Sequence, residues 1–312
     1  MNLLELSPIE YKKVIKEPAV IFNSVDFNLI NSEKCDSIKY LVFRDKKNRL
    51  GIIGGIKDRE FRSPFSAPYG GFSVIYEPTR ITHYYEAVSS LNNYALTTGL
   101  KSILITLPPC FYHKTHNAKQ VSALINSGFS LAWVDINLSF DLSNFLNFPH
   151  ALSKKSRYDL RIGIANQLRF SLCSDELSKE QAYQVILQNH LEKGYPMRMS
   201  FEAIQRTANI VSIDYFLIEY ELEQIAAAIV FHVNSSVAQV IYWGSLPKFD
   251  NLQPMAFLAY HLFDYYYKQG KKILDIGPSS LEGKVNFGLA DFKENLGCEY
   301  SLKCCFRKNY ND

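Results

Sequence analysis

A chain of 312 residues, at roughly 150 per domain, has material for about two domains, each long enough to bury a core of its own. With 47% hydrophobic and 21% charged residues, and only 15 glycines and 12 prolines, the composition excludes a disordered or collagen-like chain. Lys and Arg (34) nearly balance Asp and Glu (31), so the formal charge of +3 excludes a molecule-wide nucleic-acid coat or membrane-surface patch, and any polyanion site must be local.

Aromatic residues make up 14% of the chain, nearly all of them Tyr and Phe, which favours strand-rich cores over a helical bundle. The six cysteines, Cys35, Cys110, Cys173, Cys298, Cys304 and Cys305, form no CxxC pair and read as reduced core thiols. The first residues lack a basic-then-apolar leader, and the longest apolar run, Ile225 to Phe231, is too short to span a bilayer. A soluble, cytoplasmic chain with no stable membrane insertion is the expectation.

The first predicted strand, Ile38 to Phe43, turns through Asp45 to Asn48 into Leu50 to Gly55 as a hairpin. The following loop, Ser63 to Phe72, carries two prolines and three aromatics and is longer than a tight hairpin needs, so Tyr69 and Phe72 are candidates for a cleft wall, with core packing as the alternative. A helix from His83 to Thr98 ends at Gly99, a short strand Lys101 to Thr106 follows, and a second helix closes at Gly128 before a strand from Leu131 to Leu138. Near residue 150, Pro149 and His150 precede a basic helical stretch with Lys154, Lys155, Arg157 and Arg161. Past a further helix and the Gly194–Arg198 segment, the same order recurs. Ile213 to Tyr220 and Ile225 to Phe231 form the hairpin, and Tyr242-Trp243-Gly244 sits in the next strand. Gln253 to Gln269 is the helix, with Pro254 in its first turn, and Gly270 ends it. Lys271 to Ile276 is the short strand, and a helix closing at Gly297 leads to Tyr300 to Phe306. A repeat offset of about 170 residues is a duplicated domain, since solenoid units run about 20 to 50 residues. The reading is therefore α/β (α+β), with domains at 1–150 and 151–312, each a mixed, mostly antiparallel sheet flanked by helices.

That element order resembles the GNAT acyltransferase fold, and two such copies on one chain resemble the Fem-type transferases that build peptidoglycan cross-bridges. The segments Ser63 to Phe72, Tyr242-Trp243-Gly244, Asp275-Ile276-Gly277-Pro278-Ser279 and Asn286 to Gly297 carry the likeness, which spans about residues 20 to 306. The resemblance implies transfer of an acyl or aminoacyl group to an amine on a small-molecule or nucleotide-linked acceptor such as a cell-wall precursor. It implies acyl-CoA or aminoacyl-tRNA as donor, a tRNA as partner in the second case, and no metal. Two departures stand out. Neither copy carries the Gln/Arg-x-x-Gly-x-Gly/Ala loop that holds the coenzyme A pyrophosphate in single-domain GNAT enzymes, and Ser245 to Gln253 has no glycine. No long charged heptad run marks the helical arm that many Fem enzymes insert.

Lys293 stands out without any family. Leu289, Phe292 and Leu296 form one apolar stripe of a helix, and Lys293 falls inside it. Aligning Gly297 with Gly128 places Leu124 at the matching position of the first copy. The resemblance implies that this lysine polarises the acyl carbonyl and stabilises the oxyanion; the alternative is a lysine whose stem covers Phe292. Asp275 ends a short strand beside Gly277, placed either to take a proton from the attacking amine or to cap the turn that follows. Lys154, Lys155, Arg157 and Arg161 could anchor a phosphate-bearing substrate or form a solvated helix face. Arg198 is placed to reach the acceptor. Tyr242 and Trp243 offer a stacking surface, in the strand against which the resemblance opens the active site. His113 and His116 form an HxxH without partner ligands, and His190 reads as a surface residue of a polar helix. Two further readings keep the fold and change the activity: a non-catalytic binding module that has lost its donor site, and an N-acyltransferase using acyl-CoA or an acyl carrier protein outside cell-wall synthesis.

Overall fold

The computed structural model describes residues 1–147 and 152–310; the seam expected near Pro149 and His150 lies outside them. In chain order, the first elements are β1 (Asn2–Leu6), α1 (Pro8–Val14), α2 (Val25–Leu29), β2 (Ser37–Arg44), β3 (Asn48–Lys57), β4 (Glu60–Ser63) and β5 (Ser73–Val74). They continue as α3 (Ile81–Thr97), β6 (Ser102–Thr106), α4 (Lys114–Asn126), β7 (Ser130–Asp141), α5 (Lys154–Ala165), β8 (Arg169–Leu172), α6 (Glu176–Glu192) and α7 (Phe201–Ala208). The last are β9 (Ile213–Tyr220), β10 (Glu223–His232), β11 (Val237–Ser245), α8 (Pro254–Lys268), β12 (Ile273–Pro278), β13 (Ser280–Leu281), β14 (Lys284–Val285), α9 (Phe287–Asn295) and β15 (Glu299–Asn309). The chain resolves into two compact units. One comprises Met1–Ile136, Ser280–Lys284 and Ser301–Asp312; the other comprises Asn137–Ser279 and Val285–Tyr300.

In the first unit the strand order is β1-β2-β3-β4-β6-β15. The β2–β3 hairpin pairs Tyr40 with Ile53 and Val42 with Gly51, β4 runs parallel to β6 from Glu60/Ser102 to Ser63/Ile105, and β15 runs antiparallel to β6. Helix α3 buries Tyr84, Ala87, Val88, Leu91 and Ala95, the three-to-four spacing of one helical face. That face packs with Leu41, Phe43, Ile103, Ile105, Leu124 and Phe306 in a single core. The loop after β4 is stitched down. Gly70 N–H donates to Thr106 O (2.8 Å), Gly71 N–H to Ser63 Oγ (3.1 Å) and Phe72 N–H to Gln120 Oε1 (2.8 Å). Gly71 has φ +88°, and a Cβ there would meet Leu107 and Gln120, so glycine is what lets the loop lie this close.

The second unit repeats the plan with strand order β7-β12-β11-β10-β9-β8. Strands β8 to β11 are antiparallel, β11 runs parallel to β12, and β7 runs antiparallel to β12. Helix α8 buries Ala256, Phe257, Ala259, Leu262, Phe263 and Tyr266 against Leu138 and Phe140 of β7 and Leu274 and Ile276 of β12. Phe140 and Phe263 stack with centroids 4.2 Å apart.

The closing strands differ from the expectation that each repeat ends its own sheet. Cys305 to Asn309, from the end of the second repeat, pair with Thr106 to Ser102 in the first unit. Asn137 to Asp141, from the end of the first repeat, pair in the second unit with β12. Strands of 12 and 11 residues, β7 and β15 run on past their own repeat and place Leu138 and Phe140, or Phe306, into the other core. Apolar alternation marks both as strands but carries no information on the partner. Among the cysteines, all six are free thiols, and Cys110 is exposed rather than a core residue. Among the described residues no helix is long and apolar enough to cross a membrane.

Because Phe306 is fully buried in the first unit's core, Phe306→Ala lowers that unit's unfolding free energy by about 3–5 kcal/mol in urea titration. Deleting residues 298–312 abolishes its cooperative transition although all of Met1–Ile136 is retained.

Candidate active site

In the second unit β11 and β12 keep parallel register only from Val237/Ile273 to Gln239/Asp275. Beyond that point β12 is irregular: its register with β7 shifts between Asp275 and Pro278, and Gly277 takes φ +76°, a left-handed conformation that suits glycine. Asp275 is wholly buried, and its Oδ1 accepts from Gly277 N–H (2.9 Å) and from Asn137 Nδ2 (2.8 Å). The turn so formed aims two successive carbonyls at helix α9. Lys293 Nζ donates to Gly277 O at 2.9 Å and to Pro278 O at 3.0 Å.

Helix α9 is started by Asn286, whose Oδ1 accepts from Leu289 N–H (3.0 Å), and it buries Ala290 and Lys293. Lys293 is 1% exposed. Burial pushes its ammonium down to about 8 while the Asp275 charge opposes the change; burial in turn pushes the neighbouring Cys298 thiol up. The next residue back, Phe292, meets the Trp243 ring at 5.9 Å.

On the other face of β11, Tyr242 meets His190 of α6 (5.8 Å between centroids), and His190 also meets Tyr195 (6.1 Å). Burial pushes the Tyr242 phenol up, while backbone N–H groups of Met199 and Arg198 at its hydroxyl oppose the change. Asn286 Nδ2 donates to Tyr195 Oη at 2.9 Å, so the segment linking α6 to α7 is tied to the start of the lysine helix.

The predicted residues thus separate into groups. Lys293 and Asp275 meet through Gly277, and Tyr242 and Arg198 meet through the phenol oxygen. Lys154, Lys155, Arg157 and Arg161 lie on α5, where Lys155 is paired with Asp159 (2.6 Å) and Lys154 and Arg161 are exposed. The start of that helix touches the end of α9, Ser153 N–H donating to Asn295 O (3.2 Å). Tyr69 and Phe72 are core residues of the first unit, 1% and 5% exposed, packed on Phe22 and Tyr112 and on Phe43. His190 is half-buried, not a surface residue, and it continues the buried Tyr183–Ile186 row of α6 at helical spacing, a signal present in the sequence. A cavity of about 420 Å³ runs along the outer side of α6 between Leu177 and Leu191 and contains none of the predicted residues. Among the described residues no group of three His, Cys, Asp or Glu side chains is arranged to hold a metal ion.

No protein-family model and no curated protein matches the sequence. Solved structures do match in fold. FemX aligns over 100% of this chain and 98% of its own, with TM-score 0.71 and 11% identity. The C-terminal domain of a putative lysylphosphatidylglycerol synthetase from Agrobacterium fabrum aligns over 97% and 93%, with TM-score 0.62 and 14% identity. A tandem GNAT protein from the clavulanic acid biosynthesis pathway aligns over 100% and 99%, with TM-score 0.50 and 9% identity. At these identities the likeness is one of fold, and it is the mixed α/β architecture expected from the repeat.

The Lys293 proton leaves the folded state near pH 8 and the unfolded state near its ordinary 10.5, so between these values the unfolded state binds more protons and stability rises with pH. Across that window the wild type gains roughly 3 kcal/mol relative to Lys293→Met, read from urea titrations of both proteins at each pH.

Proposed function

We propose that this chain, built on the fold seen in FemX and in a tandem GNAT protein, transfers an acyl or aminoacyl group to an amine acceptor in the second unit. The observation that carries the reading is the Lys293 ammonium, 1% exposed and aligned by the Gly277 and Pro278 carbonyls. An ammonium has three N–H donors, and two are used in holding it. The third is available to the carbonyl oxygen of an activated acyl donor, and a fixed cation in a water-poor site stabilises the oxyanion formed when the amine attacks. The parting of β11 from β12 supports a cleft there: Ile241, Tyr242 and Trp243 are half-buried, whereas Val237 to Val240 are buried.

Asp275 is assigned to holding the turn that presents the carbonyls, since its Oδ1 is engaged by Gly277 and Asn137. An aminoacyl ester donor is favoured over acyl-CoA by the start of α8. There Pro254 has no N–H, Gln253 is in the left-handed region, and the preceding turn carries Asp250, an arrangement poor in amide donors for a pyrophosphate. The likeness to a domain of a putative lysylphosphatidylglycerol synthetase, a name that denotes attachment of a lysyl group, agrees with aminoacyl rather than acetyl transfer. The exposed Lys154 and Arg161, at the helix whose start meets α9, would anchor a phosphate-bearing substrate such as a tRNA or a nucleotide-linked cell-wall precursor.

Lys293→Met lowers the single-turnover transfer rate by about 10²–10³-fold, measured with charged tRNA and UDP-linked muropeptide as the substrate pair. An unchanged rate overturns the role given to the lysine.

A further inference from the structure

Helix α6 delivers His190 to the face of β11 opposite the lysine. Neighbouring residues of a strand point to opposite faces, and here Tyr242 meets His190 while Trp243 meets Phe292, the residue before Lys293. The imidazole therefore lies on one face of β11 and helix α9, which carries the ammonium to the Gly277 and Pro278 carbonyls of β12, on the other, next to the point where β11 parts from β12.

His190 Nδ1 is buried and has no hydrogen-bond partner. A buried polar atom left unpaired in an otherwise well-bonded interior calls for an explanation. The Pro196 backbone lies against the ring and favours its protonated form, while Nδ1 itself is left without a partner. The groups around the ring are Tyr242 on β11, Tyr195, Lys193 and the Pro196 backbone on the segment between α6 and α7, and Arg198 beside the Tyr242 hydroxyl. None of these is a carboxylate. Burial holds the imidazole below its ordinary 6.5, the Lys193 charge acts the same way, and the Pro196 backbone opposes both, so the surroundings favour the neutral ring.

We propose that His190 is a catalytic residue whose Nδ1 takes the proton from the acceptor amine, which enters on the α6 side of β11 beside the Lys193–Ser200 segment. The inference rests on the transfer reading above. As the amine nitrogen bonds to the acyl carbon, the carbonyl electron pair moves to oxygen beside Lys293 and the N–H proton passes to Nδ1. The tetrahedral adduct then collapses by breaking the bond to the donor's ester oxygen or thioester sulfur. That leaving group takes a proton from solvent as the imidazolium releases its own, so protons balance.

The segment over the ring is suited to admitting such a substrate. Lys193 to Pro196 are exposed, Gly194 has φ +69°, and Tyr195 is held to α9 by the Asn286 hydrogen bond.

The test compares wild type, Lys293→Met and His190→Gln in single-turnover transfer from charged tRNA, and separately from acetyl-CoA, to UDP-linked muropeptide between pH 5 and 8. Alongside it, ¹⁵N-histidine spectra of the full chain read the tautomer and titration of His190. The expected result is a loss of about 10²–10⁴-fold in His190→Gln. Its melting temperature should be unchanged, its acid limb below pH 6.5 should disappear, added imidazole should restore part of the rate, and the wild-type ring should carry its proton on Nε2. If wild type transfers and Lys293→Met does not, while His190→Gln keeps both rate and pH profile, the histidine proposal is wrong and the transfer reading stands. A proton on Nδ1 in the wild type also overturns it. Absence of transfer by wild type from either donor overturns the parent reading, and this inference with it.

Discussion

A charged ammonium taken out of water loses several kcal/mol of solvation, and a single contact does not offset that. In this protein the offset is built from backbone. Two carbonyls converge on Lys293 because β12 abandons regular pairing after Asp275, turns through a left-handed glycine, and is locked in that shape when Gly277 N–H and Asn137 Nδ2 bind the Asp275 carboxylate. Charge-assisted hydrogen bonds of this kind are roughly twice as strong as neutral ones. The irregular strand, the buried aspartate and the inward lysine are therefore one device. None of its parts is well explained alone, since Asp275 without the lysine would be a buried charge, and the turn without either would be an unpaired strand end.

The device depends in turn on how the sheets are closed. Asn137 reaches Asp275 because β7, the last strand of the first repeat, lies beside β12. A duplicated domain that kept its closing strands to itself would have no such asparagine at this place. The same exchange puts Phe306 of β15 beside Ile105 of β6, so each core is completed by residues remote in sequence. Contacts of that separation make folding slower and make each half dependent on the full chain.

Much of this was legible before any coordinates. The hairpins at 38–55 and 213–231 follow from apolar runs broken by turn residues, and the long helices from their periodicity and glycine stops. The inward position of Lys293 followed from the stripe around it, and its twin Leu124 is indeed fully buried in the first core. What escaped depends on information that a linear pattern lacks. Strand alternation does not name a partner, so the exchange of β7 and β15 was invisible. Tyr69 and Phe72 belong to a loop whose length suggested a cleft wall, whereas three backbone hydrogen bonds press it into the core. His190 was masked by the polar residues around it on α6, although its spacing from Tyr183 and Ile186 placed it on the inner face.

The two units make opposite use of the same opening. In the first, the parallel pair β4 and β6 ends at Ser63 and Ile105, and the chain immediately folds Pro64 to Phe72 back onto β6 and α4, burying two aromatic rings. In the second, the parallel pair β11 and β12 ends at Gln239 and Asp275. No equivalent loop follows β11, because the chain turns at Pro247–Leu252 straight into α8, leaving Ile241 to Trp243 half-buried. A leucine at the inward position of the fourth helix suits the filled version, where only apolar packing is required. In the second copy the inward position holds a lysine whose ammonium is taken up by the Gly277 and Pro278 carbonyls. The divergence of one side chain and the divergence of one loop thus fall at corresponding places of the two copies: the first fills the opening with apolar side chains, and on the proposed transfer reading the second keeps it for a substrate.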